Sequence, residues 1–385
     1  MKHAVPFVCL SLLLGGALGT WAQDATTAAP AATKTVEERI QELENQIQVL
    51  KEALAEPEGS IQTTIGDVKK LKTIKVSGYT QVRYQDVDKK NNAGVGTTTN
   101  TFDVKRSRLK ITGTPTDNTT AVIQFDLGGD TKGNTDAGTR GKYNVTTKDA
   151  YITYTLGDGN ASKNYAVTAG QFLTPFGYQL VQSSSVRETP ENAQIVKTLF
   201  DAVEYDRGVK LNSGLDYPFF VEVAAMNGYG AGANVTDNNH DKAFVGRVRK
   251  SFGNTLDTGV SFYSGKAGTT GAQTETQRFG LDAQYYLQNT TLKAEYISGQ
   301  DTSGKWGYYA QLAHNFTKRD TAVLMYDVQK DQATAATIGK SAAWNFGWIR
   351  ALDSATRLKL FYQNIDQENN SSKNRTVTAE LITLF

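Results

Sequence analysis

From Ile74 to Phe385 the chain alternates between two kinds of side chain. In Ile74-Lys-Val-Ser-Gly-Tyr-Thr-Gln-Val-Arg-Tyr84 the even positions are the more apolar, and the odd ones carry Lys75, Ser77, Tyr79, Gln81 and Arg83. A period of two sends successive side chains to opposite faces of a β-strand. The pattern recurs at Ala121/Ile123/Phe125/Leu127, Ala150/Ile152/Tyr154/Leu156, Phe279/Leu281/Ala283/Tyr285, Trp306/Tyr308/Ala310/Leu312 and Ala342/Trp344/Phe346/Trp348. Sixteen such segments begin near 74, 101, 119, 147, 164, 206, 218, 242, 255, 275, 290, 305, 320, 339, 355 and 374. Each is long enough for a tilted strand to cross a bilayer, which takes about 9–11 residues.

The connections alternate too. Short ones, such as those at 253–254 and 288–289, take turns with long polar ones at 86–100, 128–146 and 228–241. Short turns at one rim and long loops at the other mark a transmembrane barrel. A soluble β-sandwich also alternates, but it gives no reason for Tyr, Trp and Phe to gather at the ends of the apolar faces. It also gives none for Arg and Lys at mid-strand on the polar faces. Interfacial aromatic girdles and a wet lumen explain both. The pattern predicts an all-β fold, a sixteen-stranded antiparallel transmembrane β-barrel over 74–385. The formal charge of +2 gives no reason to expect nucleic acid as a partner.

The segments ahead of the barrel read differently. Residues 1–22 have the order of a secretory signal: Lys2 and His3, an apolar stretch from Val5 to Leu18, then small residues to Ala22. The only cysteine, Cys9, lies in it. Residues 23–35, rich in Ala and Thr, read as a flexible linker. Over 36–56 the apolar residues fall at Val36, Ile40, Leu43, Ile47, Leu50 and Leu54, a heptad seam. A helix this short is marginal alone, so copies of itself are the economical partner. The seam favours a parallel dimer in isolation, and a larger attached domain could impose a trimer. The alternative is a single solvated helix. Pro57 and Gly59 open a second linker, 57–73.

One connection stands apart. After Val167–Phe172, Pro175 and Gly177 break the ladder, and alternation resumes only at Tyr205–Val209. A long connection without repeats in a β-rich chain is usually functional. The simplest picture folds it inside the barrel. It carries Arg187, Glu188, Glu191, Lys197 and Glu204.

No catalytic set is evident. Residues His240 and His314 lack metal-ligand spacing, and no serine sits in a nucleophile elbow. No enzyme activity, cofactor or metal is expected. Parity instead turns Arg83, Arg106, Arg108, Lys110, Lys210, Arg247, Arg249 and Arg278 towards the interior. Arg106, Arg108 and Lys110 share one strand face within about 14 Å. Rows of guanidinium groups favour anions in a pore. The same arginines could instead pair with loop carboxylates such as Glu188, Glu191 and Glu204 and pin the long connection. Both readings stay open.

Four stretches carry a family resemblance: Arg106-Ser-Arg-Leu-Lys-Ile-Thr-Gly113, Asp149-Ala-Tyr151, Gly170-Gln-Phe-Leu-Thr-Pro-Phe-Gly177 and Asp206-Arg-Gly-Val209. Over roughly 74–385 the chain resembles the phosphate-selective porin O/P family. The resemblance implies a sixteen-stranded trimeric channel of the bacterial outer membrane. It also implies that the third outer loop, here 174–205, folds inward as a constriction. The basic run at Arg106, Arg108 and Lys110 matches the family's basic strand, whereas Lys197 is the only lysine of the loop and has acidic neighbours. The expected function is passive diffusion of small hydrophilic solutes with a weak preference for anions, phosphate among them. Its partners would be the lipid bilayer and further copies of the chain. The alternative is an envelope tether, anchored by the barrel, whose periplasmic coiled coil self-associates or contacts peptidoglycan.

Overall fold

The computed structural model describes residues 35–55, 73–90, 96–128, 145–230, 237, 239–267, 273–301, 303–332, 339–368 and 373–385. The expected signal (1–22), the first linker up to residue 34, and the second linker up to residue 72 lie outside them. Two compact units are present, one N-terminal and one from residue 67 onward.

The N-terminal unit contains helix α1, Val36–Ala55; residue 56, the last of the expected 36–56, lies outside the described residues. Thr35 and Glu38 form a reciprocal cap. The Glu38 amide donates to Thr35 Oγ1 (3.3 Å) and the Thr35 amide to Glu38 Oε2 (2.9 Å). Val36, Ile40, Leu43 and Ile47 of the seam are each at least half exposed.

In the second unit every expected strand forms. The first five are β1 (Ile74–Lys90), β2 (Gly96–Thr116), β3 (Thr119–Asp126), β4 (Thr146–Thr155) and β5 (Ala166–Leu173). A short helix α2 (Gln194–Phe200) interrupts the series. Then come β6 (Tyr205–Asn212), β7 (Phe220–Met226), β8 (Ala243–Phe252), β9 (Leu256–Ala267), β10 (Thr274–Leu287) and β11 (Thr290–Gln300). The last are β12 (Gly304–Asn315), β13 (Asp320–Asp331), β14 (Lys340–Ala351), β15 (Thr356–Gln367) and β16 (Lys373–Leu384). Each pairs antiparallel with its sequence neighbours, and β1 pairs with β16 to close the barrel. A closed barrel leaves no sheet edge with unpaired N–H and C=O groups, which is what hydrocarbon demands.

Closure is completed beside Gly78. Its amide donates to the Phe385 carbonyl (2.8 Å), and the Phe385 amide donates back (3.0 Å). The Phe385 ring lies where a Cβ on residue 78 would stand, 2.6 Å from the nearest ring carbon, so only glycine fits.

Alternation sorts the side chains as the sequence implies. Ile152, Phe279, Leu281, Tyr308, Leu312, Trp344, Phe346 and Leu381 are exposed on the outer face, while Gln81, Arg83, Arg108, Asp126, Arg247, Asp282 and Glu380 are buried on the inner one. One stretch of inner face departs from this. Ala224 and Met226 of β7, Ala243 and Val245 of β8, Tyr263, Ile297, Tyr309 and Met325 are buried apolar residues, and they form one cluster with side chains of the 174–204 connection.

Candidate functional site

The basic residues of β1 and β2 meet because β2 is bulged. Gln81 lies opposite Arg106, but Val82 lies opposite Val104, so Lys105 is an extra residue. A bulge shifts the facing of everything beyond it by one position. Asp103, at the opposite parity to Arg106, is thereby brought to the same face. Arg83 Nε and Nη2 donate to its two carboxylate oxygens at 3.2 and 2.8 Å. Phe102 is turned out, 84% exposed. Three cations converge on Glu191: Arg83 Nη1 at 2.8 Å, Lys105 Nζ at 3.1 Å and Arg106 Nη2 at 3.8 Å. Arg106 also donates to Gln81 Oε1 at 3.0 Å.

The other expected cations divide into paired and unpaired. Arg108 donates to Asp126 (2.9 Å), and Arg247 pairs with Asp282 (3.3 Å). Lys210 pairs with Glu222 (3.1 Å), and Arg278 pairs with Asp301 (3.4 Å) while lying over Phe200 and Tyr263. Among the described residues, Lys110 and Arg249 have no carboxylate within ion-pair distance. Arg249 rests on the Phe220 ring, 4.4 Å from its centroid. Of the eight expected cations, six thus face a carboxylate and these two do not.

The 174–204 connection carries the remaining expected residues. Its backbone is held by strand side chains. Ser261 accepts the Gly177 amide (2.9 Å), and Asp327 accepts that of Gln194 (2.8 Å). Glu295 accepts those of Tyr178 and Gln179 (3.0 and 3.1 Å). Lys359 donates to the Arg187 carbonyl (2.9 Å). Phe176, Leu180, Ile195, Val196, Leu199 and Phe200 are buried in the apolar cluster. Each such side chain contributes about 1.5–3 kcal/mol on burial. Glu188 pairs with Lys293 (2.6 Å), and Glu204 lies 3.9 Å from Lys148. Lys197 is exposed on α2. Arg187 turns to its own segment, donating to the carbonyls of Thr189 (3.2 Å) and Pro190 (2.8 Å) and to Asn192.

A cavity of about 650 Å³ lies along β2 to β8, bounded by residues 180–184 and Arg187 of the connection. Its wall carries Arg106, Arg108, Lys110, Arg187, Lys210, Arg247 and Arg249 against Asp149, Glu204 and Glu222, seven cations to three carboxylates. The described residues thus combine a closed barrel, a wet polar interior and a basic cavity.

Parity missed Lys105, Asp103 and the apolar landing. The bulge has no sequence signature of its own. The landing does have one, since apolar Ala243 and Val245 share inward parity with Arg247 and Arg249.

The sequence pattern of phosphate-selective porins O and P matches residues 74–344. The chain belongs to this family. It is an outer-membrane porin, a channel for passive diffusion of small hydrophilic solutes, and family and fold favour that role over an envelope tether. Solved porins share the fold. The anion-selective porin from Comamonas acidovorans superposes with a TM-score of 0.61 at 14% identity, covering 81% of this chain and 99% of that one. The outer-membrane channel DcaP of Acinetobacter baumannii gives 0.57 at 12%, with coverage of 81% and 97%. The trimer form of OmpT from Vibrio cholerae gives 0.56 at 12%, with coverage of 81% and 100%. No curated protein matches the chain.

Proposed function

We propose that this porin prefers anions weakly, and that 174–204 is the third outer loop, folded into the lumen as its constriction. The observation that carries the preference is the excess of cations in the wall of the basic cavity, where the strand residues Lys110 and Arg249 have no carboxylate within ion-pair distance. A charge already neutralised by a neighbour adds little to the field along a pore, whereas an unpaired one draws counter-ions. Inward placement of the loop is supported by its hydrogen bonds to inner-face residues of five strands: Ser261, Glu295, Asp327, Ser341 and Lys359. The Comamonas porin of the same fold is described as anion-selective. Whether inorganic phosphate is favoured over chloride is the finer part of the proposal.

The test is the reversal potential of the purified porin in a planar bilayer under a KCl gradient. Wild type should show chloride preference. Lys110→Ala and Arg249→Ala should each move the potential towards zero. Arg108→Ala/Asp126→Ala and Arg247→Ala/Asp282→Ala each remove a cation together with its carboxylate, and they should change it less. A wild-type potential at zero or on the cation side rejects the anion reading.

The working form is a homotrimer on this proposal. OmpT of the same fold is known in a trimer form, and the exposed seam of α1 suits self-association as a periplasmic coiled coil.

A further inference from the structure

We infer that Glu191 is a built-in counter-anion: it occupies the cationic cluster of Arg83, Lys105 and Arg106 in place of a permeating anion, and so sets how strongly the pore prefers anions. The inference deepens the proposed function, because it rests on a conducting lumen with 174–204 inside it.

The carboxylate is presented by a made tip. Residues 187–192 curl around the Arg187 guanidinium, which donates to the Thr189 and Pro190 carbonyls and to Asn192. Thr189 Oγ1 closes the curl by donating to the Glu191 carbonyl (2.8 Å). The tip delivers one carboxylate to three cations from two adjacent strands, at 2.8, 3.1 and 3.8 Å. The bulge in β2 supplies the third of them, Lys105. Such convergence on one carboxylate is the coordination a free oxyanion would receive. With Asp103 included, three cations face two carboxylates. Without the Glu191 charge they would face one. The Glu191 side chain is 27% exposed, so the cluster is within reach of solutes.

A simple staple predicts a different phenotype. If Glu191 only pins the loop, its loss should loosen the loop and raise conductance for both ions alike. If it masks cations, its loss should favour anions specifically. Glu191→Gln keeps size and hydrogen bonding and removes the charge. Glu188→Gln combined with Lys293→Met is the matched control, since it removes a pin of the same loop while taking away one charge of each sign.

Reversal potentials in a KCl gradient, with inorganic phosphate then added as a blocker, decide the matter. Glu191→Gln should raise the chloride-to-potassium permeability ratio about two- to threefold over wild type, and phosphate should block it at lower concentration. The Glu188→Gln/Lys293→Met pore should move the ratio less. Lys105→Met combined with Glu191→Gln should take back part of the rise, and Lys105→Met alone should lower the ratio below wild type. A Glu191→Gln pore as selective as wild type overturns the inference, as does a shift of equal size in the Glu188→Gln/Lys293→Met pore. If Glu191→Gln does not assemble, an unchanged ratio in Lys105→Met overturns it instead. The inference is judged on differences between variants. A wild-type pore without anion preference would reject the proposed preference and leave this comparison standing.

Discussion

At the scale of single residues, the site depends on groups whose job is to hold others. Gly177 has φ +60°, a conformation unfavourable for any residue with a Cβ, and a Cβ there would run into the Glu295 carboxylate that binds the next two amides. Gly177→Ala should therefore cost about 1–2 kcal/mol of local stability from backbone strain alone, with the clash added. Limited proteolysis should then cut within 174–204 while the barrel keeps its heat-modifiable migration; an uncut loop would show that this turn is not what anchors it. Acid should act late. Burial raises the Glu191 carboxyl, but Lys105 and Arg106 outweigh it and hold the group well below the usual carboxylate range. For Glu188, burial is likewise outweighed by Lys293. A group with a depressed folded pKa lends stability that is complete above its unfolded value, near 4.3, and is lost as pH falls through the folded one. The difference in chloride-to-potassium ratio between wild type and Glu191→Gln should therefore hold from pH 7 to about 4.5 and close only below. A difference that closes between pH 5 and 7 would mean that Lys105 and Arg106 do not keep Glu191 ionised. The inward basic residues were legible from parity, because a strand offers only two faces. Which of them are neutralised was not, because the partners Asp126, Asp282 and Asp301 come from other strands or from a loop.

At the scale of elements, sixteen strands were legible because each alternates over its whole length and polar connections separate them. The register inside β2 was not. Strict alternation from Arg106 backwards would place Val104 and Phe102 inside and Asp103 outside. The extra residue at Lys105 reverses all three. The landing of the loop escaped for a related reason. Apolar residues at inward parity on β7 to β13 resemble interrupted alternation until a partner segment is seen against them. The bulge can be tested directly, since Cys9 is the only native cysteine. In the intact strand, a cysteine at Asp103 should react with a charged, membrane-impermeant thiol reagent and cut the current, and one at Phe102 should not. Deleting Lys105 removes only the unpaired residue and should leave both responses as they are, whereas in a strictly alternating strand the deletion would exchange them. Equal reactivity at 102 and 103 before deletion would rule out the bulge.

Across the whole molecule, selectivity has to arise locally. The chain carries a net charge of +2, and most inner cations face a carboxylate, so the average field along the lumen is small. What remains is the excess around the 650 Å³ cavity, where Lys110 and Arg249 stand unpaired in water-filled space. Such charges are screened by mobile ions, whereas a size filter or a dehydrating binding site is not. The Debye length falls from about 10 Å at 0.1 M salt to about 3 Å at 1 M, from a scale comparable with the cavity to one much shorter. The chloride-to-potassium ratio of wild type should therefore decline towards unity as the mean salt concentration rises across that range. The Lys110→Ala/Arg249→Ala pore should start closer to unity and change less with salt, because two of the charges whose field salt would screen are gone. Reversal potentials at a fixed gradient and increasing mean concentration measure both. A wild-type ratio independent of salt would place the preference in geometry and not in these two cations, and Arg83, Lys105 and Arg106, held at close range by Glu191, would then be the remaining source.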